Sequence, residues 1–135
     1  MFADSTVQIL VVDDEEIALS LVGQLLARIG FENIDKAHNG LAAWDMMKAK
    51  KYGLVISDWN MPEMNGLDLL NAVRADERYR RLPYVMTSID GSMERVKIAR
   101  LAGVSAFLLK PFDESKLRAK LEEVLFGSLP KRRAA

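Results

Sequence analysis

Runs of apolar residues alternate along this chain with stretches in which apolar residues recur every three or four positions. Val7-Gln8-Ile9-Leu10-Val11-Val12 opens the series. It is nearly all apolar, which predicts a strand covered on both faces. The period then changes. Ile17, Leu21, Leu25 and Ile29 fall four apart beside Ala18, Val22 and Leu26, with Glu16, Ser20, Gln24 and Arg28 opposite. That spacing predicts an amphipathic helix stopped by Gly30. Residues 33–37 read as a more polar strand at a sheet edge. Asn39-Gly40 opens a second helix on Leu41, Ala43, Trp44 and Met47. Leu54, Val55 and Ile56 form a third, largely β-branched strand that runs out at Ser57-Asp58. Residues 66–74 predict a third helix burying Leu67, Leu70 and Val73. A fourth strand spans 84–87, a fourth helix 92–102 and a fifth strand 105–109. Asp113 caps a last helix carrying Leu117, Leu121, Val124 and Leu125, with Gly127 as its stop.

Strand and helix thus alternate five times, which predicts an α/β fold: a parallel, doubly wound sheet with helices on both faces. Right-handed crossovers then bring every strand's carboxyl end to one edge, where open α/β sheets put their ligand crevices. Asp13 and Asp14 lie at that edge on strand one, Asp58 on strand three, Thr87 and Ser88 on strand four and Lys110 on strand five. Each has an ordinary explanation alone. Asp13-Asp14-Glu15-Glu16 suits a helix N-terminus, Asp58 a strand-loop cap, Ser88 a turn, and Lys110 a solvated surface. Together they make a cluster of carboxylates that repel unless a cation joins them. A hard ion with oxygen ligands, magnesium (Mg2+), suits that set. Asp58 is then a candidate nucleophile, with Lys110 and a hydroxyl to neutralise phosphoryl oxygens.

Composition narrows the function classes. The 135 residues suit one domain: residues 1–127, with 128–135 as a short flexible C-terminal tail. There is no cysteine, which excludes disulfides and thiolate metal sites. Lys+Arg and Asp+Glu balance at 19 each, so nothing overall attracts nucleic acid or anionic lipid. No apolar run is long enough for a membrane span, and the first residues lack the features of a signal peptide. A cytoplasmic location is expected. Lone His38 has no supporting motif.

Three motifs resemble one family. Val11-Val12-Asp13-Asp14, Ser57-Asp58-Trp59-Asn60-Met61-Pro62-Glu63-Met64-Asn65-Gly66 and Leu109-Lys110-Pro111-Phe112 look like the receiver domain of two-component response regulators, especially the stand-alone CheY type. The resemblance covers residues 7–126. It implies a flavodoxin-like (βα)5 sheet of strand order 2-1-3-4-5, for which CheY is itself a standard example. It implies that a histidine kinase, or a histidine phosphotransfer protein, phosphorylates Asp58. Asp14, Asp58 and the Asn60 backbone carbonyl would bind Mg2+, with Asp13 acting through water. Lys110 would hold the phosphoryl group, and the Lys110-Pro111 bond would be cis.

In that family the switch hydroxyl lies 30 residues after the acceptor and 22 before the lysine, which selects Ser88 over Thr87. Phe107 takes the aromatic switch position. Ile89 stands where a small residue is usual, and Phe107 lacks the hydroxyl common in motor-binding members. Asn60, Ile89 and Asp90 flank the chemistry as candidate modulators of phosphoryl lifetime. The expected output is control of a protein partner through the face of helix four, strand five and helix five. The alternatives are a phosphate sink, a relay intermediate, or a receiver cut from a longer regulator. A phosphatase with an aspartate nucleophile would need a second acid where Asn60 stands. A flavodoxin would need a phosphate-cradling loop after strand one.

Overall fold

In the computed structural model, which describes residues 6–126, the ten expected elements follow in order. They are β1 Gln8–Val12, α1 Glu16–Ile29, β2 Asn33–Ala37, α2 Gly40–Ala49, β3 Leu54–Asp58, α3 Gly66–Ala75, β4 Tyr84–Ser88, α4 Met93–Leu101, β5 Ala106–Leu109 and α5 Glu114–Phe126. All pairings are parallel and the order is β2-β1-β3-β4-β5. This is the flavodoxin-like order that the resemblance implied, with the polar β2 at an edge. The proposed stop at Gly127 and the tail lie outside the described residues.

Alternation along each strand sorts the core into two layers. Ile9, Val11, Leu54, Ile56, Val85 and Leu108 meet α1 and α5 through Leu19, Leu26, Leu117 and Leu121. Leu10, Val12, Val55, Tyr84 and Met86 face the other way and pack with Met47, Leu69, Leu70 and Val73. Both faces of the central strands are therefore covered, as their near-continuous apolar sequence requires.

Three helices bury faces that differ from the sequence expectation. In α1 the buried row is Leu19, Val22, Leu25, Leu26 and Ile29, while Ile17 and Leu21 are 84% and 49% exposed. Apolar residues cover more than half of this helix, so spacing alone selects no single row, and the sheet takes the one centred on Leu26. In α2, Leu41 faces outward while Ala43 and Met47 are buried. In α3, Leu69 is buried along with Leu70 and Val73, and Leu67 only partly so. Helix caps follow the sequence: Asn39 Oδ1 accepts from Ala42 N–H and Asp113 Oδ1 from Lys116 N–H.

Candidate functional site

Three strands stop at one edge, and the residue types there follow from where each strand ends. Val12 pairs with Ser57 and Asp58 with Thr87, so Asp13, Asp58 and Ser88 emerge side by side. Ser88 pairs with Leu109, which sets Lys110 next to the crevice. Lys110 N–H donates to the Ser88 carbonyl, and the Lys110-Pro111 bond is cis. After Asp58 the chain turns back through Glu63, which has φ 66°, to a hydrogen bond from Gly66 N–H to the Trp59 carbonyl. Tyr84 Oη donates to the Gly66 carbonyl from within the core (2.8 Å). The loop after β3 is thereby clamped to β4.

The carboxylates converge. Asp13, Asp14 and Asp58 each offer an oxygen within 4.8 Å of the others. Asp13 and Asp58 are buried and Asp14 is exposed. Lys110 Nζ spans the two buried acids, at 2.8 Å from Asp13 Oδ2 and 3.2 Å from Asp58 Oδ1. The other Asp13 oxygen accepts from Glu15 N–H (3.0 Å). Burial pushes the Asp58 carboxyl above its ordinary value, and the Asp13 charge adds to this, while Lys110 opposes both. Burial also disfavours the Lys110 ammonium. The hydrogen bond that Lys110 donates to Asp13 and the Asp58 and Asp13 charges outweigh it, so Lys110 sits above the usual lysine value. One ammonium thus leaves Asp58 incompletely compensated, a state that additional cationic charge relieves.

The other expected residues take up distinct positions. Asn60 is exposed, two residues past Asp58. Thr87, not Ser88, is the register partner of Asp58. The Ser88 hydroxyl is buried and tied to the next loop, accepting from Asp90 N–H at 3.0 Å and donating to the Asp90 carbonyl at 3.2 Å. Hydrogen bonds from Ser92 hold the Asp90 carboxyl below its ordinary value, helped by Arg95. Ile89 is 74% exposed at the rim. Phe107 is partly buried and meets Trp59 edge-on, ring centroids 6.4 Å apart. Arg95 was not singled out by sequence. Its guanidinium lies over the Trp59 ring, a contact 36 positions apart that no local spacing announces.

Known proteins agree with this geometry. The family model of the response regulator receiver domain matches residues 9–122. Chemotaxis protein CheY1 of Helicobacter pylori is 41% identical over 119 residues, spanning 87% of this chain and 96% of its own. A chemotaxis protein CheY homolog of Campylobacter jejuni is 40% identical over 119 residues, spanning 87% and 92%. The structure of chemotaxis protein CheY4 of Vibrio cholerae matches with a TM-score of 0.83 at 28% identity, spanning 88% of this chain and 98% of that one. With sequence family, strand order and acidic edge in agreement, the chain belongs to the response regulator receiver domains, of the CheY type.

Proposed function

We propose that this receiver is a phosphoacceptor in two-component signalling, with Asp58 the residue loaded by a histidine kinase or a histidine phosphotransfer protein. The observation that carries this reading is the Lys110 ammonium set between the Asp13 and Asp58 carboxylates. An Asp58 oxygen attacks the phosphorus of the donor's phosphohistidine. The P–N bond breaks, its electron pair returns to the imidazole, and an acyl phosphate forms. Lys110 turns from the Asp58 carboxylate to a phosphoryl oxygen, and Ser88 donates its hydroxyl to another. Water later attacks the phosphorus, the P–O bond to Asp58 breaks with its electron pair returning to the carboxylate, and inorganic phosphate leaves. The chain thus catalyses its own loading and unloading but turns over no separate substrate.

The donor set fits magnesium: Asp13, Asp14 and Asp58 bring carboxylate oxygens within 4.8 Å of one another, and burial leaves Asp58 wanting positive charge. Asp14, Asp58 and the Asn60 carbonyl would hold the ion, with Asp13 behind them through water. When bound, it supplies countercharge to the phosphoryl oxygens.

For output we favour protein contact through α4, β5 and α5. Met93, Leu101 and Leu109 are 89%, 80% and 50% exposed there, and Ile89 borders them. A phosphate sink has no use for such a surface. No helix among the described residues is long and apolar enough to cross a membrane, which is in keeping with a cytoplasmic role.

Acetyl phosphate with magnesium, followed by intact mass, tests the acceptor. The wild type gains one acid-stable, base-labile phosphate and Asp58→Asn gains none. A phosphate on Asp58→Asn, or none on wild type, overturns the reading. Comparing Ser88→Ala with Thr87→Val identifies the hydroxyl, since only the true partner's loss slows loading.

A further inference from the structure

Arg95 sits in the first turns of α4, and the acceptor chemistry makes no use of it. Its contacts nevertheless reach both sides of the acceptor. The guanidinium carbon lies 4.3 Å from the Trp59 ring centroid, and Trp59 directly follows Asp58. Arg95 Nε is 3.6 Å from Asp90 Oδ2, and Asp90 is the residue whose backbone holds the Ser88 hydroxyl. The same Asp90 side chain accepts from Ser92 N–H (3.0 Å). Ser92 in turn caps α4 by accepting from Arg95 N–H (3.3 Å). Arg95 Nη1 is buried with no hydrogen-bond partner, so the indole face holds the cation where an acceptor would otherwise be needed. The other side of the contact continues to Phe107, whose ring meets Trp59 at 65°.

These contacts matter because α4 has little else to seat it. Ala99 is its sole buried residue. Ser88 cannot turn to a phosphoryl group without giving up both bonds to Asp90, and Asp90 cannot move freely while Arg95 is stacked on Trp59. We propose that Arg95 is a positioning residue that holds Trp59 and the Asp90 loop in the resting arrangement, so that loading Asp58 must break the Arg95–Trp59 stack. This rests on the acceptor reading above. Arg95 then sets the threshold of the switch, and removing it makes loading easier even though a contact is lost.

The test uses the full chain with beryllium fluoride and magnesium as the phosphoryl probe, and calorimetry as the readout. A second readout is Trp59 fluorescence in a Trp44→Phe background. Arg95→Ala is expected to reach half-saturation at about fivefold lower beryllium fluoride, the factor a partly desolvated cation–ring contact commands. Arg95→Lys keeps a cation over the ring and stays close to the parent. Trp59→Leu lowers the midpoint by a similar factor, and adding Arg95→Ala to it changes nothing further. A purely structural role for Arg95 would produce neither the lysine rescue nor this non-additivity. An unchanged or raised midpoint in Arg95→Ala, or a full additional shift in the Trp59→Leu background, overturns the proposal. Should Arg95→Ala not fold, the proposal stands or falls on Trp59→Leu and Arg95→Lys. A parent that binds the probe while the variants do not shift removes only the role of Arg95. A parent that fails to bind removes the acceptor reading and this proposal with it.

Discussion

α1 and α4 both begin at the edge that carries Asp13, Asp58 and Ser88, and they are fastened in opposite ways. α1 follows Asp13 and Asp14 and buries Leu19, Val22, Leu25, Leu26 and Ile29 against the sheet. α4 follows Ser88 and buries Ala99. Its attachments are a Ser92 cap, the Asp90–Arg95 pair and the Arg95–Trp59 stack. Close packing has one good arrangement, and leaving it creates cavities. A helix held by a few polar and ring contacts gives up little when it shifts. The carboxylates that gather charge therefore stand on the rigid side. The Ser88 hydroxyl, bonded to the Asp90 backbone, stands on the side more able to move.

The largest expected effect tests the rigid side. Leu26→Ala, at a fully buried position, should cost about 3 kcal/mol by urea denaturation. A cost under about 1 kcal/mol would mean that α1 is no better anchored than α4.

Next comes the charge between the two sides. Lys110→Met leaves Asp13 and Asp58 facing each other at the edge and should cost about 2 kcal/mol at pH 7, partly recovered by magnesium. The folded pKa of Lys110 is raised, so its contribution is complete below the unfolded lysine value and fades only as pH climbs through the folded one. The loss in Lys110→Met should accordingly be flat between about pH 7 and pH 9.

Asp58→Asn should act in the other direction. The Asp58 carboxyl is raised mainly by burial, so the fold favours its protonated form. That preference is fully present below the unfolded aspartate value and is lost as pH rises through the folded one. At pH 7 the ionised carboxylate is therefore a burden, and Asp58→Asn should melt above wild type in calorimetry without magnesium. The advantage should shrink as the pH falls towards about 4. Magnesium should narrow it as well, by stabilising wild type alone.

The smallest effect sharpens the mobile side. Leu101→Ser, at a position 80% exposed, should change stability by less than about 0.5 kcal/mol. The same substitution should weaken capture of the output partner by the phosphorylated protein. A large loss of stability instead would mean that α4 is packed more firmly than its burial implies.

Much of this was legible in the sequence because strands covered on both faces leave an unbroken apolar trace. The ends of those traces are where Asp13, Asp58, Ser88 and Lys110 occur. The polar composition of β2 likewise announced its edge position. The rotation of α1 was not legible, since Ile17 and Leu21 are as apolar as Leu19 and Leu26, and only the sheet decides between the rows. Nor was Leu69, which sits beside the expected Leu70 on a wider buried arc. The Lys110 bridge to Asp13 joins residues 97 positions apart, and the Arg95–Trp59 stack joins residues from different βα units. Such contacts leave no period. They exist only after the chain has folded.

The turn at Gly66 has a consequence for any survey of tolerated substitutions. A Cβ there would run into the Asp58 carbonyl oxygen and crowd Met86 Sδ, 2.9 Å away. Every other residue at 66 must push the Asp58 backbone or break the clamp from Tyr84. In a saturation mutagenesis screen scored on signalling, position 66 should therefore look as intolerant as position 58, though it contributes no functional group. A map drawn from such a screen would enlarge the apparent reactive set by residues whose whole contribution is to be small.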